Sequence, residues 1–319
     1  MSPPLEALTL RNIFVKYGGS ARHCYNLAKR PDKVTEWEEQ IPDLLTRMPD
    51  IAIFEGYIAG NTLHNRVESA IKASSLLITI VPNQTRQPCV TLVSRHIAEH
   101  FFRAVLMHNH ESFWNYFNQF SSEPESRTPA GWLWELYAIR MALSTQGTHT
   151  TSIDLYHLSP IESSQPPTKK IRPNPIELPF SDVIDHGDQK ALGEQLSTAI
   201  PSLSPTKSTL YRPGARNQVT FSITGDNQVT LYQATIRESH VIKAKGLDFI
   251  WDGLKLAESQ GMSAANKLLP SPARKWHLVF LIPKEAEKHW KTAQSIDFGG
   301  MKPKRQWGQY VEQFVGVLR

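Results

Sequence analysis

Residues 208–236 read STLYRPGARNQVTFSITGDNQVTLYQATI, and apolar and polar residues alternate on both sides of TGDNQ. A period of two is the mark of a half-buried strand, and Gly-Asp-Asn between two such runs is turn chemistry, so the stretch predicts a β-hairpin. Downstream, GLDFIWDGLKLAESQG reads as a helix, KWHLVFLIP as a strand, KEAEKHWKTA as a helix and WGQYVEQFVGVL as a last strand. Upstream, LLITIVP and CVTLVS form a second hairpin signal across NQTRQP, residues 95–120 and 130–143 read as helices, and THTTSIDLYHL reads as a strand. Residues 3–75 read as short helices broken at Gly18-Gly19, at Pro31 and around Pro42. The expected class is α/β (α+β): one mixed, twisted sheet flanked by helices, with a small N-terminal helical segment. The expected domains are 1–75 and 76–319, the second carrying an exposed Pro- and Ser-rich excursion at 159–180.

The helix AGWLWELYAIRMAL, residues 130–143, holds one acid in fourteen positions, Glu135. Three and four places along, where a helical salt-bridge partner would sit, are Ala138 and Ile139. Gly131, Trp132, Ala138, Ile139 and Ala142 share its face, so its carboxylate is expected to point into the protein. A buried acid is paired, bound to a metal or protonated, and both a structural and a site role stay open for Glu135.

The chain has 319 residues, with 35 Lys and Arg against 30 Asp and Glu. The two cysteines, Cys24 and Cys89, give no disulfide framework, and the N-terminus lacks the basic and apolar regions of a signal peptide. Apolar runs such as LLITIV fall far short of a membrane span. Nucleus or cytoplasm is the expected location, and PPTKKIRP at 166–173 resembles a nuclear import signal. Arg274, Lys275, Lys284, Lys288, Lys291, Lys302, Lys304 and Arg305 gather near the C-terminus, interleaved with Trp276, Trp290 and Trp307. That pattern suits phosphates with aromatic faces for base stacking, and the competing reading is a solvated face above a Trp-containing core.

No P-loop, H-E-x-x-H, G-x-S-x-G or paired C-x-x-C occurs, and the twelve histidines are read as lacking zinc-ligand spacing. No nucleotide is expected in this chain. On the second hairpin strand, Gln233 and Thr235 fall on one side and can line one pocket, with His240 following. In metal-dependent phosphodiester cleavage, carboxylates from a helix and neighbouring strands hold a divalent ion that activates water, and Glu135 is a candidate ligand. A polar cross-strand pair on a solvated face is the competing reading of Gln233 and Thr235.

Taken together, YGGSARHCYNLA, AGWLWELYAIRMAL, LYRPGARNQVTFSI, LYQATIRESHVIKAKGL, WHLVFLIP and QYVEQFVGVL resemble Crinkler-type and retrotransposon-hot-spot-type proteins of fungi, from about residue 10 to the C-terminus. The resemblance implies a P-loop NTPase joined to a restriction-endonuclease-like module, with nuclear action on DNA. Residues 1–75 resemble the helical tail of that NTPase, whose nucleotide-binding core is expected upstream of Met1, and a host or upstream NTPase is the partner expected. The resemblance makes Glu135 the helix glutamate, Gln233 and Thr235 the Q-x-T strand motif and His240 the histidine after it. Arg22 resembles a sensor arginine, but with no P-loop in this chain it is read as a solvent-exposed turn arginine. The aspartate that the resemblance places on the first hairpin strand is missing from Thr220 to Ser222, and Asp226 in the turn replaces it only in another register.

Three functions are therefore expected as alternatives: a nuclease fold with a degenerate site that binds DNA or a protein partner, an active endonuclease using Mg2+ or Mn2+, and an effector fragment switched by an absent NTPase. The catalytic candidates are Glu135, Gln233, Thr235 and His240, and the metal candidates are Glu135 and Asp226.

Overall fold

The computed structural model describes residues 6–18, 21–46, 77–82, 88–108, 110–122, 127–143, 151–159, 176–178, 182–186, 189–199, 208–213, 220–224, 227–300, 302 and 305–318. The chain divides into two compact units, Met1–Tyr137 and Ala138–Arg319. The first extends past residue 75, where sequence reading puts the domain boundary.

In the first unit, helices α1 (Ala7–Tyr17), α2 (Ala21–Lys29) and α3 (Pro31–Thr46) precede the antiparallel pair β1 (Ile78–Pro82) and β2 (Pro88–Leu92). This pair is a separate two-stranded sheet, which corrects the expectation of a single sheet. Helices α4 (Arg95–His108), α5 (His110–Ser122) and α6 (Arg127–Leu143) follow. Phe101, Phe102, Phe113, Tyr116, Phe117, Phe120, Trp134 and Tyr137 are buried, and Phe113 stacks on Tyr137 with ring centroids 4.8 Å apart. Apolar residues three and four apart put these rings on one face of each helix.

The second unit is built on a seven-stranded sheet in the order β4-β13-β11-β9-β8-β7-β6. Its strands are β4 (Leu155–His157), β6 (Asp182–His186), β7 (Ser208–Pro213), β8 (Thr220–Thr224), β9 (Val229–Ala234), β11 (Trp276–Pro283) and β13 (Val311–Leu318). The strands β7, β8 and β9 form an antiparallel meander, and β9, β11 and β13 run parallel. The opening stretch is the heart of this sheet. The apolar run 278–283 of β11 follows from the strand's central place, since a parallel strand covered on both faces has little polar side to show. A parallel neighbour demands a crossover, and helix α8 (Ala244–Ser259) provides it between β9 and β11. Its buried Leu247, Ile250, Leu254 and Ala257 recur at helical spacing.

Helix α7 (Gln189–Ala199), which sequence reading did not anticipate, makes the crossover between the parallel strands β6 and β7. It lies hard against α8: a Cβ on Gly193 would stand 2.8 Å from Leu256, and one on Gly253 would stand 2.9 Å from Leu192. Two further small sheets, β3 (Thr151–Ile153) with β5 (Ile176–Leu178) and β10 (Ile242–Lys243) with β12 (Ile296–Asp297), complete the strands among the described residues. The strand β5 lies within the excursion expected at 159–180, while 160–175 lie outside the described residues. Expected as one strand, THTTSIDLYHL holds the two strands β3 and β4. The expected helix KEAEKHWKTA is a 3-10 turn over Lys284–His289, and WGQYVEQFVGVL opens with a short helix, Trp307–Tyr310, before β13. Among the described residues no helix is long and apolar enough to cross a membrane.

Candidate functional site

The pairing register decides which way the strand motif faces. Val229 and Leu231 of β9 are buried in the core, and side chains alternate, so Gln233 and Thr235 continue the same face at the carboxyl end of the strand. Gln233 pairs in register with Phe280 of β11. The His240 ring lies 6.2 Å from the Phe280 ring, which brings His240 to the surroundings of the same residue. Trp290 closes on Phe280 at 4.6 Å and its indole N–H donates to the Arg237 carbonyl at 2.9 Å. The His240 backbone N–H donates to Gln294 Oε1 at 2.8 Å, and Gln294 and Gln313 exchange hydrogen bonds at 2.7 and 2.9 Å. Burial, and then the charges of Arg237 and Lys243, hold the His240 imidazole below its ordinary value.

Thr235 is buried, and its hydroxyl accepts the Arg237 N–H at 3.2 Å while its own N–H donates to the Leu281 carbonyl at 3.0 Å. It therefore extends the β9 to β11 ladder and shapes the turn after it. On β8, the positions sharing the Gln233 face are Phe221 and Ile223, both buried in the core. Thr220 and Ser222 take the opposite face, where Ser222 Oγ and Tyr232 Oη are 3.0 Å apart. An acid at either position would face away from Gln233. Asp226 lies outside the described residues.

The C-terminal basic cluster separates into two kinds of residue. Lys288, Lys291 and Lys302 are exposed, and Lys275 is half-buried. Arg305 is held within the fold, donating to Asp248 at 2.5 Å and Asp252 at 2.9 Å and stacking 4.6 Å from the Trp251 ring. Lys284 pairs with Glu287, and Arg274 donates to the Leu269 carbonyl at 2.8 Å. Lys304 lies outside the described residues. Trp276, Trp290 and Trp307 are buried. Of the two sequence readings of this region, the core reading holds for the tryptophans, whose faces are spent on packing rather than open to bases.

Glu135 belongs to the first unit, and Gln233, Thr235 and His240 belong to the second. Its side chain is 33% exposed, which corrects the inward direction expected from its helical face. Its partner is Arg95 at the start of α4, whose Nη2 donates to Oε1 at 2.8 Å. Arg22 is exposed on α2.

A second arrangement, invisible to motif reading, lies in the first unit. Gly18 ends α1 at φ 61°, and a Cβ there would stand 2.3 Å from the Val93 carbonyl oxygen. Ser94 caps α4 by accepting the Ile97 N–H at 3.2 Å, and its hydroxyl donates to the Lys16 carbonyl at 2.6 Å. These contacts pin the last turn of α1 to the first turn of α4. Glu38 of α3 enters this junction: its Oε1 accepts from the Tyr17 hydroxyl and pairs with Lys16, each at 2.5 Å. Its Oε2 lies 3.0 Å from His96 Nε2 and 3.7 Å from His100 Nε2. Burial opposes ionisation of Glu38, but hydrogen bonds from Lys16, Tyr17 and His96 outweigh it and hold the carboxyl down at about 2. Burial also lowers His100. The expectation that the histidines lack ligand spacing is corrected here, because His96 and His100 stand four apart on one helical face. The signal was present as RHIAEH, but its third member lies in another segment of the chain.

No family model matches this chain, and no curated protein and no solved structure matches it.

Proposed function

We propose that this chain is a restriction-endonuclease-like protein of the Crinkler and retrotransposon-hot-spot kind that binds DNA and whose divalent-metal site is degenerate. One observation carries the reading: Gln233 and Thr235 stand together at the carboxyl end of β9, while the β8 positions on their face are Phe221 and Ile223 rather than acids. A meander that feeds a crossover helix and a parallel strand puts such a strand end beside the neighbouring strand, where a phosphodiester can be approached. Among the described residues, the strand motif itself offers a metal no carboxylate. An amide and a hydroxyl already bonded to backbone do little to offset the cost of stripping water from Mg2+ or Mn2+, so any ion is held weakly. Lys288, Lys291 and Lys302 supply exposed cations for phosphates in the same unit. The motif at 166–173 favours a nuclear site of action, and an NTPase partner remains part of the proposal through the family resemblance.

The test is fluorescence anisotropy with a labelled duplex across a salt series. Binding that weakens steeply with salt is expected, because phosphate contacts release counterions. A flat response, or none at low salt, would refute DNA binding.

A further inference from the structure

We propose that Glu38, His96 and His100 form a binding site for a late first-row divalent metal ion of the Zn2+ class, separate from the degenerate site on β9. One ligand atom from each of the three lies within 4.8 Å of the other two. The donor set is two imidazole nitrogens and one carboxylate oxygen, which suits Zn2+ and its neighbours and not Mg2+ or Ca2+, whose preferred ligands are oxygens. The division of labour on Glu38 favours an ion. Oε1 is taken by Tyr17 and Lys16, which fix the carboxylate plane, and Oε2 is the atom turned to both imidazoles. An outer partner that orients a ligating carboxylate is a regular companion of metal sites. His96 and His100 come from successive turns of α4, and their ring centroids are 4.7 Å apart. All three side chains are partly open to solvent, so a water molecule can take the fourth position of a three-ligand site. The ion would tie α3 to α4 beside the end of α1, and its binding energy would add to the stability of the first unit.

The chain carries other histidine and acid groupings, of which His157 and His277 around Glu312 in the second unit serve as a control. Their nitrogens lie 3.1 and 3.9 Å from different oxygens of Glu312, so the carboxylate does not present one shared atom to both rings.

The experiment uses the full chain, stripped with chelator, titrated with Zn2+ by calorimetry and with Co2+ in the visible range. The wild type is expected to take one equivalent with Co2+ bands far stronger than those of the hydrated ion, undisturbed by millimolar Mg2+. Glu38→Gln and His100→Ala are each expected to weaken binding by more than about 100-fold, and Tyr17→Phe by about 10-fold, as fits ligands and an outer-shell partner. His157→Ala is expected to bind as the wild type does. Zn2+ should raise the melting temperature of the wild type and not that of Glu38→Gln, whose amide keeps the shape of the side chain. Absence of the Co2+ bands in the wild type would overturn the site without reference to any variant. So would equal binding by Glu38→Gln and wild type, or a loss confined to His157→Ala. None of these results bears on DNA binding, which is read separately by anisotropy.

Discussion

The carboxylate of Glu135 accepts a 2.8 Å hydrogen bond from Arg95, so the acid in the middle of an apolar helix is answered by a cation from another helix. The pair is about one-third exposed on each side. Solvent therefore screens it, and a value of roughly 0.2–1 kcal/mol follows. Glu135→Ala is expected to lower the unfolding free energy by no more than about 1 kcal/mol, and a double-mutant cycle with Arg95→Ala should return most of that as coupling. Denaturant unfolding of the four proteins measures it. Duplex affinity should be unchanged throughout the cycle.

The basic C-terminal region should divide in the same kind of experiment. Lys288→Ala, Lys291→Ala and Lys302→Ala are each expected to weaken duplex binding and to reduce the slope of log affinity against log salt by about one. Their melting temperatures should stay where they are, since exposed lysines hold little of the fold together. Arg305→Ala should do the reverse. It strips charged hydrogen bonds from Asp248 and Asp252 and a stacking partner from Trp251, which should cost about 2 kcal/mol of stability. Anisotropy and thermal melts on the same preparations separate the two classes.

Acid should loosen the fold through its half-buried histidines. Burial, followed by the repulsion of Arg237 and Lys243, lowers His240, and burial lowers His23. An imidazole whose folded value lies under its unfolded value of about 6.5 is protonated first in the unfolded chain. The unfolded state then binds more protons, so stability falls as pH drops below about 6.5 and is flat above it. Urea midpoints measured from pH 8 down to pH 5 should show this slope. His240→Asn, which cannot titrate, should make it shallower.

What was legible in the sequence was whatever a short window could contain. The alternation of 208–236 and the apolar stretch of WHLVFLIP belong to strands of one sheet, because period two and continuous burial are local signatures of strands. Helix α7 escaped because its inward face needs little more than Leu192, Gly193 and Leu196, the glycine being there for close approach to Leu256 rather than for helix propensity. The partners of site residues escaped for a different reason. Arg95 finds Glu135, and Glu38 finds His96, only after helices from distant segments have packed, and no spacing rule reaches across such separations. The tryptophans could be read two ways from composition alone, since buried and exposed aromatic residues look alike until their neighbours are known.

On the proposed function this chain holds DNA without cutting it efficiently, and a single plasmid assay tests both halves. Supercoiled plasmid is incubated with the protein in Mg2+ or Mn2+ at low salt, and each sample is run with and without detergent. The plasmid is expected to be retarded and then released still largely supercoiled, with Gln233→Ala indistinguishable from wild type, because Gln233 without a facing carboxylate holds an ion too weakly to activate water. Rapid metal-dependent nicking by the wild type that disappears in Gln233→Ala would contradict it, as would a plasmid that is not retarded at all.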